Sequence, residues 1–296
     1  MKYSGIRILT AGLIAGAIGV FSTFEARADV LLGVGEFRGV AATKAQWQPL
    51  GDYLTSALGE TVTIVPIAET KMDEEIGKKP VQFVLANPLL AAVIKGHHNS
   101  TPLASFVQPW GTQFAGVIIA TPGSGIRTAA DVKGRKLTTN TINSAGGYLY
   151  QRQYLAEQGI KVPGDFSEYK EMPKQDDIVL AVKAGITDVG FIRTGILEDM
   201  VKKGRLQMTD VVVVDEKKAE PSFPFVRTSA MYPEWYVMTV AGTDAALAAK
   251  LKTALLAMKS DSDTAKALNL KAFAEPLPID EVVNMLKSFK LPPFDK

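Results

Sequence analysis

Residues 136–154 read KLTTNTINSAGGYLYQRQY, and the fold is decided by how this stretch is parsed. Lys136–Thr139 reads as a short strand, Asn140–Ser144 as a polar turn, and the residues beyond as the first turns of a helix. Asn143 or Ser144 is placed to cap that helix, because a short side-chain oxygen accepts an orphan backbone N–H. Gly146 and Gly147 leave the backbone uncovered, so that a ligand can approach it closely. A helix start carries unpaired N–H donors and about half a positive charge, and therefore favours an anion.

Two further stretches have the same form. Val81–Ala86 is a buried-type strand running into Asn87-Pro88, with Asn as the cap and Pro at the first helical position of Leu89–Lys95. Asp188–Ile192 is a strand ending in Arg193-Thr194, and Thr194 is expected to cap a helix over Gly195–Lys203. Strands are also expected at Val30–Val34, Thr61–Ile67, Leu103–Val107, Gly116–Thr121, Val211–Val214 and Tyr236–Ala241. Helices are expected around Trp47–Leu58, where Pro49 obscures the start, and at Met72–Ile76, Ile178–Ala184, Asp244–Met258 and Ile279–Ser288. Strands alternating with helices give an α/β protein with open sheets, whose ligands sit beyond the carboxyl ends of the strands. Asn87, Asn143–Ser144 and Arg193-Thr194 all fall at that end. Two such Rossmann-like lobes, crossing over near 116–121 and 215–225, would place Asn87 on one wall of a cleft and Ser144 with Arg193 on the other. The expected division is 29–118 plus 222–296 for one lobe and 119–221 for the other.

The first 28 residues are read apart from the fold. Lys2 and Arg7 precede the apolar run Ile8–Phe24, and Ala26-Arg27-Ala28 offers the small residues of a cleavage site. A membrane anchor is the competing reading, but the run is short for a span. Cleavage after Ala28 removes Lys2, Arg7 and Arg27 against Glu25, which takes the formal charge from +2 to zero. A neutral protein lacks the basic excess that nucleic acid or an anionic membrane requires, so affinity for an anion has to come from local arrangement. The chain contains no cysteine, which excludes disulfides, thiolate catalysis and a lipid-anchoring cysteine. An exported, untethered, disulfide-free protein fits the periplasm.

The order and spacing of several motifs resemble the phosphonate-binding-protein family of periplasmic solute receptors. They are Trp47-Gln48-Pro49-Leu50 with Tyr53-Leu54, Asn87-Pro88, Ala130-Asp131-Val132-Lys133-Gly134, Gly147-Tyr148-Leu149, and Asp188-Val189-Gly190 with Gly195-Ile196-Leu197. Phe223-Pro224-Phe225 and Tyr232-Pro233-Glu234-Trp235 are similar to the branch that includes the sensor domains of tetrathionate-type histidine kinases. The resemblance implies a type II two-lobed (Venus-flytrap) fold, an anion held between the lobes, and a partner that is an ABC permease or a sensor kinase. It also implies a monomer, with no cofactor and no catalysis. Phe37 and Arg38 follow the first strand, a usual contact loop of this fold, and Trp110, Tyr148 and Tyr232 are expected to line the cleft. The chain departs from the family in two places. Only Ser144 keeps a hydroxyl where the phosphonate receptors have a Ser/Thr run. Arg193 stands where they place an acid for the substrate's amino group, which moves the expectation from aminoalkylphosphonate toward a doubly anionic ligand or a sulfur oxyanion.

Other chemistry finds little support. His97-His98 are the only histidines, and their position in a polar loop after a helix makes them surface residues. Glu36, Asp188 and Asp215 are not paired with a nucleophile or a metal cluster. Gly33-x-Gly35 lacks the third glycine of a dinucleotide site. An enzyme on the same fold and an assembly factor with a vestigial cleft are the readings from other classes.

Overall fold

The computed structural model describes residues 1, 29–36 and 39–295; Phe37, Arg38 and the expected leader beyond Met1 lie outside the described residues. Along the chain come β1 (Val30–Glu36), α1 (Val40–Leu58), β2 (Val62–Ala68), α2 (Met72–Ile76), β3 (Phe83–Ala86), α3 (Pro88–His98) and β4 (Pro102–Val107). The middle holds β5 (Gln113–Ala120), β6 (Lys136–Thr139), a π-helical turn (Ala145–Leu149) running into α4 (Tyr150–Glu157), β7 (Glu168–Glu171), α5 (Gln175–Lys183), β8 (Val189–Arg193), α6 (Ile196–Lys202), β9 (Val212–Val213) and β10 (Met231–Pro233). The end holds β11 (Tyr236–Thr239), α7 (Ala245–Leu256), α8 (Asp263–Leu268), β12 (Ala272–Ala274) and α9 (Asp280–Ser288).

These strands form two mixed sheets, ordered β12-β4-β11-β3-β1-β2 and β10-β5-β8-β6-β7, with β9 on β5. β1 pairs in parallel with β2 and β3, and β6 with β7 and β8. The carboxyl ends of β2, β3, β6 and β8 therefore carry the loops that matter for the site. Each sheet is covered by helices over apolar clusters. Trp47, Leu50 and Leu54 of α1 pack with Leu32, Ile64 and Leu85 in the first lobe. In the second lobe, Ile118, Leu137, Leu155 and Phe191 form one cluster, and Val117, Ile178, Ile192 and Leu197 another. A further cluster joins Leu90 and Ile94 to Phe114, Leu149, Tyr150 and Tyr232, so the two lobes touch directly.

Several expectations are corrected. α1 starts at Val40 and keeps Pro49 in its interior. One lost backbone hydrogen bond is outweighed by the face of Trp47, Leu50, Leu54 and Leu58 packed on the sheet. The lobes do not change over inside 116–121 and 215–225. β5 belongs to the second sheet along its whole length, and the chain passes between sheets at 108–112 and 234–235. β7 (EYKE) carries no apolar alternation; it is a polar edge strand held by its parallel pairing with β6. His97 and His98 occupy the last turn of α3 rather than a loop, and both contact the Asp73 carboxylate, at 2.7 and 2.9 Å.

Candidate functional site

A cavity of about 1020 Å³ separates the lobes, lined from both sides. Four of its residues stand at or directly after the carboxyl ends of parallel strands. Glu69 follows β2, Asn87 follows β3, Asn140 follows β6, and Arg193 closes β8.

Asn87 caps α3 as expected, its Oδ1 accepting from the N–H groups of Leu89 (3.0 Å) and Leu90 (3.2 Å). Its amide Nδ2 donates to Glu69 Oε1 at 2.7 Å and, across the lobes, to the Asn143 carbonyl at 3.1 Å. All four hydrogen-bonding positions of this amide are thereby filled. Asn87 shapes the cleft, and it contacts a ligand only by giving up one of these bonds. Ser144, not Asn143, caps the helical turn, its Oγ accepting from Gly147 N–H at 3.1 Å. The hydroxyl proton of Ser144 has no acceptor among the described residues. Gly146 is required by packing: a Cβ there would lie 2.4 Å from the Phe114 ring and 2.9 Å from Arg193 Cβ. Without one, the first turn lies flat against the Arg193 stem. Ala145 and Gly146 line the cavity, at the end of the helix whose first N–H groups have no intrahelical acceptor.

Arg193 is half-buried. Its backbone N–H donates to Gln175 Oε1 at 2.7 Å, and its guanidinium lies 4.9 Å from the centre of the Phe114 ring and 3.8 Å from Glu234 Oε1. Glu234 is wholly buried, and its Oε1 has no hydrogen bond. Burial pushes the Glu234 carboxyl above its ordinary range, against the pull of Arg193 and of the Trp235 N–H, which donates to Oε2 at 3.4 Å. Glu69, also buried, is pushed up to about 8 by desolvation, partly offset by the Asn87 amide. At neutral pH its carboxyl holds a proton and can donate a hydrogen bond.

Of the expected site residues, the cleft therefore brings together Asn87, Ser144, Gly146 and Arg193. Thr194 is not a cap. It continues the β5–β8 ladder, its Oγ1 accepting from Ala115 N–H at 3.2 Å, while Gly195 takes the cap position with φ +88°. Asn143 lines a separate pocket of about 160 Å³ beside Glu69 and Leu90. Tyr148 is buried behind the helix with its hydroxyl accepting from Arg152 at 2.8 Å, and Tyr232 packs on Tyr150 at 4.3 Å between the rings. Trp110 packs edge-on against Phe225 at 4.7 Å. None of Trp110, Tyr148, Thr194 and Tyr232 lines the cavity, because each serves core or ladder packing. Phe37 and Arg38 lie outside the described residues. Sequence reading missed Glu69, Asn140, Trp47, Phe106, Phe114 and Trp235, which also line the walls.

Two α/β lobes that meet over a cleft at strand carboxyl ends define a type II periplasmic solute-binding fold. Solved structures agree. XAC2383 from Xanthomonas citri, bound to ATP, superposes with a TM-score of 0.74 at 17% identity over 89% of this chain and 98% of that one. PhnD1 from Prochlorococcus marinus, in complex with methylphosphonate, gives 0.73 at 13% identity over 88% and 98%. The family model described as "ABC transporter, phosphonate, periplasmic substrate-binding protein" matches residues 34–281, and the chain belongs to that family. The tetrathionate sensor histidine kinase TtrS of Salmonella typhimurium is 27% identical over 231 residues, 76% of this chain. The chain spans 38% of that relative's length. Among the described residues no helix is long and apolar enough to cross a membrane.

Proposed function

We propose that this periplasmic solute-binding protein captures a small anionic ligand, phosphonate- or phosphate-like or a sulfur oxyanion, between its lobes and presents the closed form to an ABC transporter. The observation that carries this reading is the meeting of Arg193 and the Ser144–Gly146 helix start on one face of the interlobe cavity. A guanidinium and a helix N-terminus each favour an oxyanion, the first by bidentate charged hydrogen bonds and the second by its free N–H groups. The ligands of XAC2383 and PhnD1 both carry phosphorus oxyanions, which supports the class without fixing the member. The lobes would turn about the crossovers at 108–112 and 234–235. Export is assigned to the leader, with cleavage after Ala28, and the mature protein to a monomer without cofactor or catalytic role.

A second reading, favoured by the similarity to TtrS, makes the closed form the input to a membrane sensor kinase. Deleting the gene separates the two. Loss of ligand uptake supports the permease, and loss of a transcriptional response with uptake intact supports the kinase.

The ligand reading is tested by thermal unfolding against phosphate, phosphite, alkyl- and aminoalkylphosphonates, sulfate, thiosulfate, tetrathionate and small dicarboxylates. Ligand at a hundred times its Kd stabilises by about 2.7 kcal/mol, a shift of several degrees at this size. One such shift, lost in Arg193→Ala, is the expected result. A shift that survives the substitution removes Arg193 from the site, and no shift with any anion counts against the receptor reading.

A further inference from the structure

Polar groups line both walls of the cleft, and the first-lobe wall adds an aromatic patch. The second lobe presents Ser144, Gln175 and Arg193 together with Lys203 and Arg205, these two paired with Asp199 and Asp176. Beside the polar Glu69, Asn87 and Gln108, the first lobe presents Trp47, Phe106 and Trp235 with Leu268 and Leu270. The rings of this wall form a graded stack. Trp47 lies 5.9 Å from Phe106, and Phe106 lies 6.4 Å from Trp235 with their planes only 22° apart. Trp235 and Leu268 are the partly exposed members, the others being buried behind them.

Volume points the same way. The cleft, about 1020 Å³ and partly open to solvent, has room for a body well beyond an inorganic oxyanion, which fills only a few water volumes of about 30 Å³ each. An inorganic ion bound at Arg193 would leave the aromatic wall facing water, with no gain from its apolar surface.

We propose that the ligand is an organic anion with a flat apolar body, its charged head held at Arg193 and Ser144 and its body lying on the Trp235 wall. This rests on the cleft being the ligand site, as proposed above, and narrows the ligand within it. The chemistry asked for is an aryl or similarly planar group joined to a phosphonate, sulfonate or carboxylate head. An indole face and an aryl ring prefer offset stacking or edge-to-face contact with centroids about 4.5–7 Å apart.

The test pairs ligands that share a head and differ in body: methylphosphonate with phenylphosphonate, methanesulfonate with benzenesulfonate, and acetate with benzoate. Affinities are measured by titration calorimetry on the purified protein, and tryptophan emission is recorded in parallel. At least one aryl compound is expected to bind ten-fold or more tightly than its methyl partner, with a change in tryptophan emission. Trp235→Leu is expected to close most of that gap, and Leu268→Gln, at a partly exposed helix end that tolerates a polar residue, to narrow it. Equal affinities within every pair, or tighter binding of the methyl compounds, would overturn the proposal while leaving an anion receptor in place. Absence of binding by all six compounds and by the inorganic anions would remove the receptor reading and this proposal together. An aryl preference that persists in both variants would place the body elsewhere and overturn the assignment of the wall.

Discussion

Arg193 and Glu234 form a pair in which the carboxylate is the more exposed to harm. Glu234 is wholly buried and its Oε1 depends on the guanidinium 3.8 Å away. Removing the arginine leaves the buried carboxyl without its opposite charge, at a cost of about 1–3 kcal/mol. The cost is less than for a fully buried pair, because Arg193 is partly exposed and burial favours the neutral acid. Arg193→Ala is therefore expected to lower stability in urea unfolding as well as weaken anion binding. Adding Glu234→Gln should return part of the stability and none of the affinity, which separates the two roles of the arginine. Glu69 gives a pH signature. Its folded value of about 8 lies above the ordinary value of 4.5, so the folded state holds a proton that the unfolded state releases between those limits. Stability from this group is complete below about pH 4.5 and is lost as pH rises toward 8, by roughly 3–5 kcal/mol. Unfolding free energies measured at pH 5 and pH 8.5 should differ by that much more in the wild type than in Glu69→Gln. Identical pH slopes in the two proteins would show that Glu69 titrates normally.

The helix beginning at Ala145 shows how far the sequence could be read. Its cap, its glycines and its place after a strand were all legible, because capping and close approach are local requirements. So was the cap at Asn87. What was not legible is the register of the first turn, which is π-helical, and the identity of the neighbour that Gly146 accommodates. Phe114 is thirty-two positions earlier and on another strand, so only the fold brings it there. Gly146→Ala is expected to cost about 1–3 kcal/mol through overpacking against Phe114 and to weaken anion binding by displacing the Arg193 stem; urea unfolding and calorimetry check the two parts. Glu69 and Asn140 were within reach of the rule that ligands gather at strand carboxyl ends, since each is the first residue after a parallel strand. Neither carries a local signal, because neither side chain caps a helix: Asn140 donates to the Met172 and Pro173 carbonyls and Glu69 accepts from Asn87. Thr194 erred in the opposite direction. A threonine before a glycine looks like a cap, but the strand pairing runs one residue further and claims its hydroxyl for Ala115. The aromatic wall was hidden for a third reason: Trp47, Phe106 and Trp235 are indistinguishable in sequence from core residues, and most of their surface is indeed core.

At the scale of the molecule, the two lobes meet away from the crossovers through the apolar cluster of Leu90, Ile94, Leu149 and Tyr150, and polar contacts add to it. Asn87 reaches the Asn143 carbonyl at 3.1 Å, and the Arg152 guanidinium lies 4.3 Å from the centre of the Phe289 ring. A cation over an aromatic face contributes about 0.5–2 kcal/mol, enough to change the balance between closed and open lobes by several-fold. Arg152→Ala is expected to enlarge the radius of gyration of the ligand-free protein in small-angle scattering and to lower anion affinity by the same several-fold factor. An unchanged radius would assign Arg152 to packing alone. The two crossovers have a consequence of their own. They run side by side as an antiparallel ribbon, with Glu234 N–H bonded to the Thr112 carbonyl at 2.9 Å, Phe106 N–H to the Trp235 carbonyl at 2.9 Å, and strand pairing on either side. Two bonded links restrain sliding and screw motion far more than a single flexible tether would, and leave bending across the ribbon as the easy coordinate. With the crossovers as the proposed hinge, a partner docking on the outside of the lobes would have essentially one number to read, the opening angle, and Glu234 and Trp235 would stand on the axis about which that angle is measured.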